Sequence, residues 1–150
     1  MPRLTVDTPT GPFTLTEEDG ALTGAEWDTG GGDETPLLIE ARRQLIEYFA
    51  GERVEFELPL RVAGSDFQRA VCDAMRAIPF GETRTYGEIA KTLDHPAQAV
   101  GQACGHNPIP VIIPCHRVLA ADGLGGFSGR GGVETKVWLL RHEKAAGLLI

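Results

Sequence analysis

Apolar and polar positions alternate in the first third of the chain and then change period. Leu4 and Val6 alternate with polar neighbours, Thr8-Pro9-Thr10-Gly11-Pro12 is a turn cluster, and Phe13 and Leu15 resume the alternation. Asp19-Gly20 reads as a second turn, leading to a third strand that ends near Trp27. Period-two spacing points one set of side chains to each face, so this region predicts a small antiparallel sheet. After Gly30-Gly31-Gly32, read as a flexible joint, the spacing lengthens to three and four. Leu38, Ala41, Leu45 and Phe49 make one helical face, with Thr35 as N-cap, Pro36 at the first helical position and Gly51 at the end. Residues 55–62 are expected to close the sheet and cross into a second lobe.

Beyond that crossing, helix signals dominate. Ser65-x-x-Gln68 and Thr85-x-x-Glu88 read as capping boxes, in which two side chains satisfy backbone N–H groups that the helix start leaves orphaned. They predict helices over 66–77 and 86–93. Asp94-His95-Pro96 is a short turn, with Pro96 at the start of a third helix that Gly105 and Asn107-Pro108 terminate. Helices 86–93 and 96–105 across so tight a turn predict a helix-turn-helix. A last helix is expected over 134–146, with Val137, Leu140 and the stem of Lys144 facing inward. The expected fold is an α/β (α+β) N-terminal lobe, residues 1–60, with a small antiparallel sheet and a helix. A mainly α C-terminal lobe, residues 61–150, follows and contains the helix-turn-helix.

Composition narrows the class. With 42% hydrophobic and 23% charged residues in 150, the chain reads as an ordinary globular protein. No apolar run approaches the roughly 20 residues of a membrane-spanning helix, and the start MPRLTVDT lacks the basic-then-apolar pattern of a secretory signal. Three cysteines, an odd number in a chain too large to need staples, fit a reducing cytoplasm. The net charge of −7 argues against a nucleic-acid partner until it is divided. Residues 1–60 hold 13 Asp/Glu against 4 Lys/Arg, a balance of −9, whereas residues 61–150 hold 8 against 10, a balance of +2. The acidity belongs to the first lobe, and the second is free to approach phosphates. An excess of +2 implies modest, salt-sensitive affinity for undamaged DNA.

The second helix of the pair is nearly bare: Ala97, Ala99, Gly101, Ala103 and Gly105 carry no bulk. Such a face suits tight packing inside the protein as well as close approach to a partner. A helix reading major-groove base edges would carry Arg, Asn or Gln in number. This one offers mainly Gln98 and Gln102, which suits shape-led contact with a narrow groove.

Chemistry concentrates in Ile109-Pro110-Val111-Ile112-Ile113-Pro114-Cys115-His116-Arg117-Val118. An apolar segment bounded by prolines delivers Cys115 to the edge of a core, and His116 follows directly. A free thiol with a pKa of about 8.5 is only a few per cent thiolate at neutral pH, so a nucleophilic cysteine needs a base or a positive field. His116 can be that base, directly or through a water, if a carboxylate holds its other nitrogen. The pair alone equally describes a buried apolar cysteine beside a satisfied core histidine. Zinc is a weaker rival, because adjacent Cys and His do not easily ligate one ion and no C-x-x-C pair is present.

The whole run Asn107-Pro108-x-Pro110-x-x-x-Pro114-Cys115-His116-Arg117-Val118 resembles the active-site signature of the O6-alkylguanine-DNA alkyltransferases. The resemblance extends through Phe67-Gln68-x-x-Val71, Ile78-Pro79-Phe80-Gly81-Glu82-Thr83, Tyr86-Gly87-Glu88-Ile89-Ala90, Ala99-Val100-Gly101-x-Ala103 and Lys136-x-Trp138-Leu139-Leu140-x-His142-Glu143. It implies that Cys115 takes the alkyl group, irreversibly and once per molecule. It further implies that His116 is a water-mediated base oriented by Glu143, and that Tyr86 donates a proton toward the leaving guanine. Asn107 would brace the turn into the active-site segment, and backbone near Cys115 and Val118, with Ser128, would line the base pocket. Lys136 would sit near the pocket rim, and Arg117 would be a structural clamp. Ala97, Gln98, Ala99, Gly101 and Thr85 would face the DNA. The implied partner is double-stranded DNA containing O6-alkylguanine, bound through the minor groove with the damaged nucleotide rotated out of the stack. No cofactor, metal or membrane is implied, and the protein is expected to be a cytoplasmic monomer.

The chain departs from the pattern at Gln98, where the family usually places an arginine that fills the gap left by the rotated base. Glutamine lacks that charge and stacking plane. Residues 123–132, six glycines in ten, imply a looser pocket lid. Two other readings stay open: a lesion-binding relative that does not accept the alkyl group, although such relatives typically replace the cysteine, and an alkylation-sensing DNA-binding regulator.

Overall fold

The computed structural model describes residues 1–127, 129 and 131–145, in two compact units, Met1–Arg61 and Val62–Ile150. In the first unit, β1 (Arg3–Thr8), β2 (Gly11–Glu18) and β3 (Ala21–Glu26) form an antiparallel meander in the order β1-β2-β3. The register sets Leu4 opposite Leu15 and Val6 opposite Phe13, so the alternating apolar positions share one buried face. Asp19 and Gly20, both at positive φ (48° and 79°), make the tight connection between β2 and β3.

Helix α1 (Pro36–Phe49) starts where the cap and proline predict, with the Thr35 hydroxyl accepting from the Leu38 N–H. Its buried residues are Leu38, Ala41, Gln44, Leu45 and Tyr48. Tyr48 rather than Phe49 completes the inner face, because the buried Gln44 widens the inner arc to the side on which Tyr48 falls, leaving Phe49 at its edge.

Two expectations fail in this unit. Residues 55–62 do not form a strand. They make a single parallel bridge, Leu22 to Leu60, in which the Leu22 N–H donates to the Pro59 carbonyl and the Arg61 N–H to the Leu22 carbonyl. Pro59 has no N–H with which to extend a ladder, and the Gln44 amide pins Glu57 through both its backbone groups instead. The three glycines are not a loose joint either. Gly31 packs on β1 so closely that a Cβ there would lie 2.9 Å from three backbone atoms of Arg3, Leu4 and Thr5. The Thr5 N–H also donates to its carbonyl.

In the second unit, α2 (Asp66–Arg76), α3 (Tyr86–Leu93) and α4 (Ala97–Gly105) pack on one another. Thr85 and Glu88 form the full reciprocal capping box of α3. At α2 only half of the expected box is made. Ser65 accepts from the Gln68 N–H, but the Gln68 amide is drawn away to the Ala103 carbonyl of α4 at 2.8 Å. Asp94, in the left-handed conformation, ends α3 and turns the chain into α4, completing the helix-turn-helix. A two-stranded parallel pair, β4 (Arg84–Thr85) with β5 (Val118–Leu119), ties the start of α3 to the end of the active-site segment.

The last helix, α5, runs Val133–His142, shorter than expected. Its buried residues are Thr135, Lys136, Leu139 and Leu140, whereas Val137 is half-buried and Lys144 is exposed at φ 54°. The helix stops because Glu143 is drawn inward, and Lys144 unwinds into the left-handed region beyond it. The remainder of the expected 134–146 helix, at residue 146, lies outside the described residues.

Candidate active site

Cys115 is reached through a backbone that the sequence makes unusual. Val111 sits at φ 70°, a region sparsely used by β-branched residues and worth about 1–3 kcal/mol of strain. Asn107 over-determines that turn: its Oδ1 accepts the Ile109 N–H at 3.0 Å and its Nδ2 donates to the Ile113 carbonyl at 2.8 Å. Residues 111–118 are all buried. Pro114 then leads into a single 3-10 turn, Cys115–Arg117.

The Cys115 side chain lines a cavity of about 440 Å3 together with Tyr86, Gly101, Cys104, Gly105, Gly126 and Phe127. The thiol is therefore pocketed but open to a ligand. Burial pushes its pKa up to about 11, against a hydrogen bond from Asn107 and the charge of Lys136, which pull it down. The resting group is a thiol.

His116 is fully buried beside it. Its Nε2 lies 2.7 Å from Glu143 Oε2, while Nδ1 is buried without a hydrogen-bond partner among the described residues. Arg117 donates to the same carboxylate from Nε (2.8 Å) and Nη2 (3.0 Å), and from Nη1 to the Ile78 carbonyl (2.7 Å). Burial raises the Glu143 carboxyl, but the His116 hydrogen bond and the Arg117 guanidinium outweigh it and hold the group well below the usual carboxylate range. Burial lowers His116 below its ordinary value, with Glu143 opposing, so the imidazole is neutral at rest.

Tyr86, the first residue of α3, is half-buried on the cavity wall, its pKa raised by burial and by the neighbouring Cys104 and Cys115. Lys136 is not at the rim. It is completely buried, with Nζ donating to the Val118 carbonyl at 2.7 Å and to the Gly126 carbonyl at 3.0 Å. Burial lowers its pKa to about 8. Val118 is buried and gives that carbonyl to Lys136; its side chain does not line the cavity. Ser128 lies outside the described residues.

On α4, Ala97 and Gln98 are exposed, Ala99 and Gly101 half-buried, and Val100, Ala103 and Cys104 form the inner face. Thr85 is half-buried, its hydroxyl already engaged as the α3 cap.

Sequence reasoning missed Cys104, whose thiol shares the cavity with Cys115 and whose pKa burial raises to about 12. It also missed Gly125, at φ +72°, where a Cβ would lie 2.9–3.0 Å from the ring and hydroxyl of Tyr86. The glycine run is the sequence signal for it, and at Gly125 it marks close packing rather than looseness. Among the described residues no group of three or more His, Cys, Asp or Glu side chains could hold a metal ion, and no helix is long and apolar enough to cross a membrane.

Comparison with known proteins gives two family matches. The 6-O-methylguanine DNA methyltransferase ribonuclease-like domain matches residues 3–62, and the DNA binding domain of the same proteins matches residues 66–145. A methylated-DNA–protein-cysteine methyltransferase of Mycolicibacterium paratuberculosis is 44% identical over 151 residues, covering 93% of this chain and 90% of the relative. The constitutive enzyme of that name from Bacillus subtilis is 39% identical over 155 residues, covering 93% of each. Among solved structures, Mycobacterium tuberculosis OGT in complex with DNA superposes with a TM-score of 0.87 at 44% identity, covering 96% of this chain and 93% of that one. With both lobes matched, and relatives aligned over nearly their whole length, the chain belongs to the O6-alkylguanine-DNA alkyltransferase (methylated-DNA–protein-cysteine methyltransferase) family.

Proposed function

We propose that this protein repairs DNA by carrying an alkyl group from O6 of guanine to the sulfur of Cys115, once per molecule. The reading rests above all on one arrangement: a thiol on a cavity wall, next to an imidazole that pairs with a buried carboxylate through Nε2 and keeps Nδ1 unpartnered. Residues 61–150 carry the chemistry, and residues 1–60 serve as a packing platform. The α3–α4 helix-turn-helix binds double-stranded DNA from the minor groove, with Ala97, Gln98, Ala99, Gly101 and Thr85 toward it. The small residues of α4 let the backbone approach closely. Rotating the damaged nucleotide out of the stack costs a few kcal/mol, less for a mispaired base, which supplies part of the selectivity.

In the transfer step, the S–C bond forms as the C–O6 bond breaks, and the electron pair of that bond goes to O6 and the purine ring. The thiol proton passes to His116 Nδ1, directly or through a water, and Glu143 steadies the imidazolium. Tyr86 gives a proton to the guanine as negative charge develops there. The proton lost by the thiol thus balances the one gained by the base. The thioether is stable and no cofactor restores the thiol. The protein acts as a monomer in the cytoplasm, whose reducing poise keeps Cys115 reduced.

The test is a single-turnover incubation with duplex DNA bearing O6-methylguanine, followed by mass spectrometry of the peptides containing Cys72, Cys104 and Cys115. One methyl group on the Cys115 peptide alone is expected. Tight binding with no methyl gain, or a gain on another cysteine, overturns the assignment.

A further inference from the structure

Lys136 is an expensive residue to bury, and the transfer chemistry as described does not use it. Among the described residues no carboxylate pairs with its ammonium; it is held by two backbone carbonyls, Val118 at 2.7 Å and Gly126 at 3.0 Å. Those carbonyls belong to different parts of the site. Val118 directly follows the turn that carries Cys115 and His116, and it pairs with the strand that leads into Tyr86. Gly126 is in the glycine-rich loop that forms one wall of the cavity.

The adjoining residue of that loop, Gly125, is pressed against Tyr86 so closely that a methyl group has no room, with the ring and hydroxyl 2.9–3.0 Å from where a Cβ would stand. Burial raises the Tyr86 phenol pKa while the Gly126 backbone draws it the other way, and the Lys136 ammonium lies 5.9 Å from the Tyr86 ring centroid. One cation therefore joins the nucleophile's segment, the loop and the phenol.

We propose that Lys136 is a positioning residue: by gripping the Val118 and Gly126 carbonyls together, it seats the Gly125–Gly126 backbone against Tyr86 and fixes the phenol hydroxyl for proton donation to the departing guanine. Lys136 acts through the loop and does not touch the base. The loop, despite its six glycines, is seated at this point. A cation suits the task better than a neutral donor, because its hydrogen bonds to carbonyls are charge-assisted and roughly twice as strong. This role rests on the alkyl-transfer reading for its catalytic half only; the seating of the loop stands apart from it.

The experiment has two readouts. Amide hydrogen exchange at Gly125 and Gly126, without DNA, compares the parent protein with Lys136→Met. Loss of protection by about tenfold or more is expected, since seating by charge-assisted bonds worth about 1.5–3 kcal/mol is removed. Single-turnover methyl transfer is then compared among the parent, Lys136→Met, Tyr86→Phe and the double variant. General acid catalysis contributes on the order of 10²–10⁴ in rate. Lys136→Met is expected to slow transfer at least tenfold in the parent background and less than about threefold once Tyr86 is phenylalanine. Unchanged protection, or equal slowing in both backgrounds, overturns the proposal. Gly125→Ala, which crowds the phenol while leaving Lys136 in place, is the second variant. It is expected to show the same dependence on Tyr86, and a transfer rate indifferent to the crowding overturns the link from loop to phenol, and with it the proposal, even if Lys136→Met does not fold. If the parent protein transfers no methyl group, the repair reading fails, while the exchange comparison still decides the seating of the loop.

Discussion

Arg117 holds Glu143 with two nitrogens, Nε at 2.8 Å from Oε1 and Nη2 at 3.0 Å from Oε2, in a place where the carboxylate has no exposure. The same Oε2 faces His116 Nε2 at 2.7 Å. Arg117 therefore keeps the carboxylate ionised, and the carboxylate in turn orients the imidazole and can stabilise its charged form. The clamp and the relay share one anion.

Glu143→Gln is the direct probe of that sharing. It preserves shape but leaves the Arg117 charge uncompensated in the interior. Breaking one side of a buried pair is expected to destabilise the fold by about 3–5 kcal/mol, measured by denaturant unfolding. Transfer by the folded fraction is expected to slow by about 10²-fold or more, the scale of a positioned acid–base group. If stability falls and the transfer rate does not, Glu143 is only a structural partner.

The pH dependence of transfer carries the sign of two shifts. His116 works as a base when neutral, so the rate is full above its pKa and falls as pH drops through it. Burial holds that pKa below the ordinary 6.5, so the acid limb lies below pH 6.5. The thiol, pushed up to about 11, stays protonated across the neutral range. The rate is then expected to be nearly flat from pH 6.5 upward until Lys136 loses its charge, half of it by about pH 8. Single-turnover rates at fixed ionic strength decide it. A tenfold rise per pH unit in that range would mean a preformed thiolate and no role for His116 as base.

Elements governed by neighbours in sequence were legible, and those governed by distant partners were not. The Thr85–Glu88 box, the Thr35 cap with Pro36 and the Asp19-Gly20 turn use groups within three residues of one another, so residue order alone describes them. Gln68 promised an equally local bond, and the Ala103 carbonyl, 35 residues away, took its amide. Gly31 looked like freedom because nothing nearby in sequence shows that β1 lies against it. In the site, the adjacency of Cys115 and His116 was visible at once. The carboxylate that completes the relay is 27 residues from His116, and only the resemblance to a known family pointed to Glu143. Nor does any periodicity place a lysine in the core. Lys136 is buried because two carbonyls converge there, a fact of tertiary structure.

Gln98 is exposed near the start of α4, on the helix proposed to enter the groove. Gln98→Arg adds one cation and a planar group able to stack in the gap left by the rotated base. Tighter binding to duplex DNA is expected, with a salt dependence steeper by about 0.9 in log–log slope if the new charge meets a phosphate. Fluorescence anisotropy across a salt series measures both. Faster transfer with an unchanged salt slope would place the guanidinium against bases; no change in binding or rate would remove this position from the interface.

Asn107 links the strained turn to the nucleophile. Its two amide atoms bridge Ile109 and Ile113 across Val111, and its side chain also draws the Cys115 thiol pKa down against the rise from burial. Asn107→Ala removes both bonds and the donor near the sulfur. Leaving buried backbone groups unpaired is expected to destabilise the fold by about 1–3 kcal/mol. Losing a donor to the sulfur is expected to raise the thiol pKa above its present value of about 11. Asn107→Asp shifts the balance of the two effects, because its carboxylate still accepts from the Ile109 N–H, loses the donation to the Ile113 carbonyl, and replaces the donor near the sulfur with negative charge. Both variants are therefore expected to slow alkylation of Cys115 by iodoacetamide, read by mass spectrometry of its peptide, with Asp at least as slow as Ala. If the Asp variant reacts at the parent rate, Asn107 braces the backbone and does nothing for the sulfur.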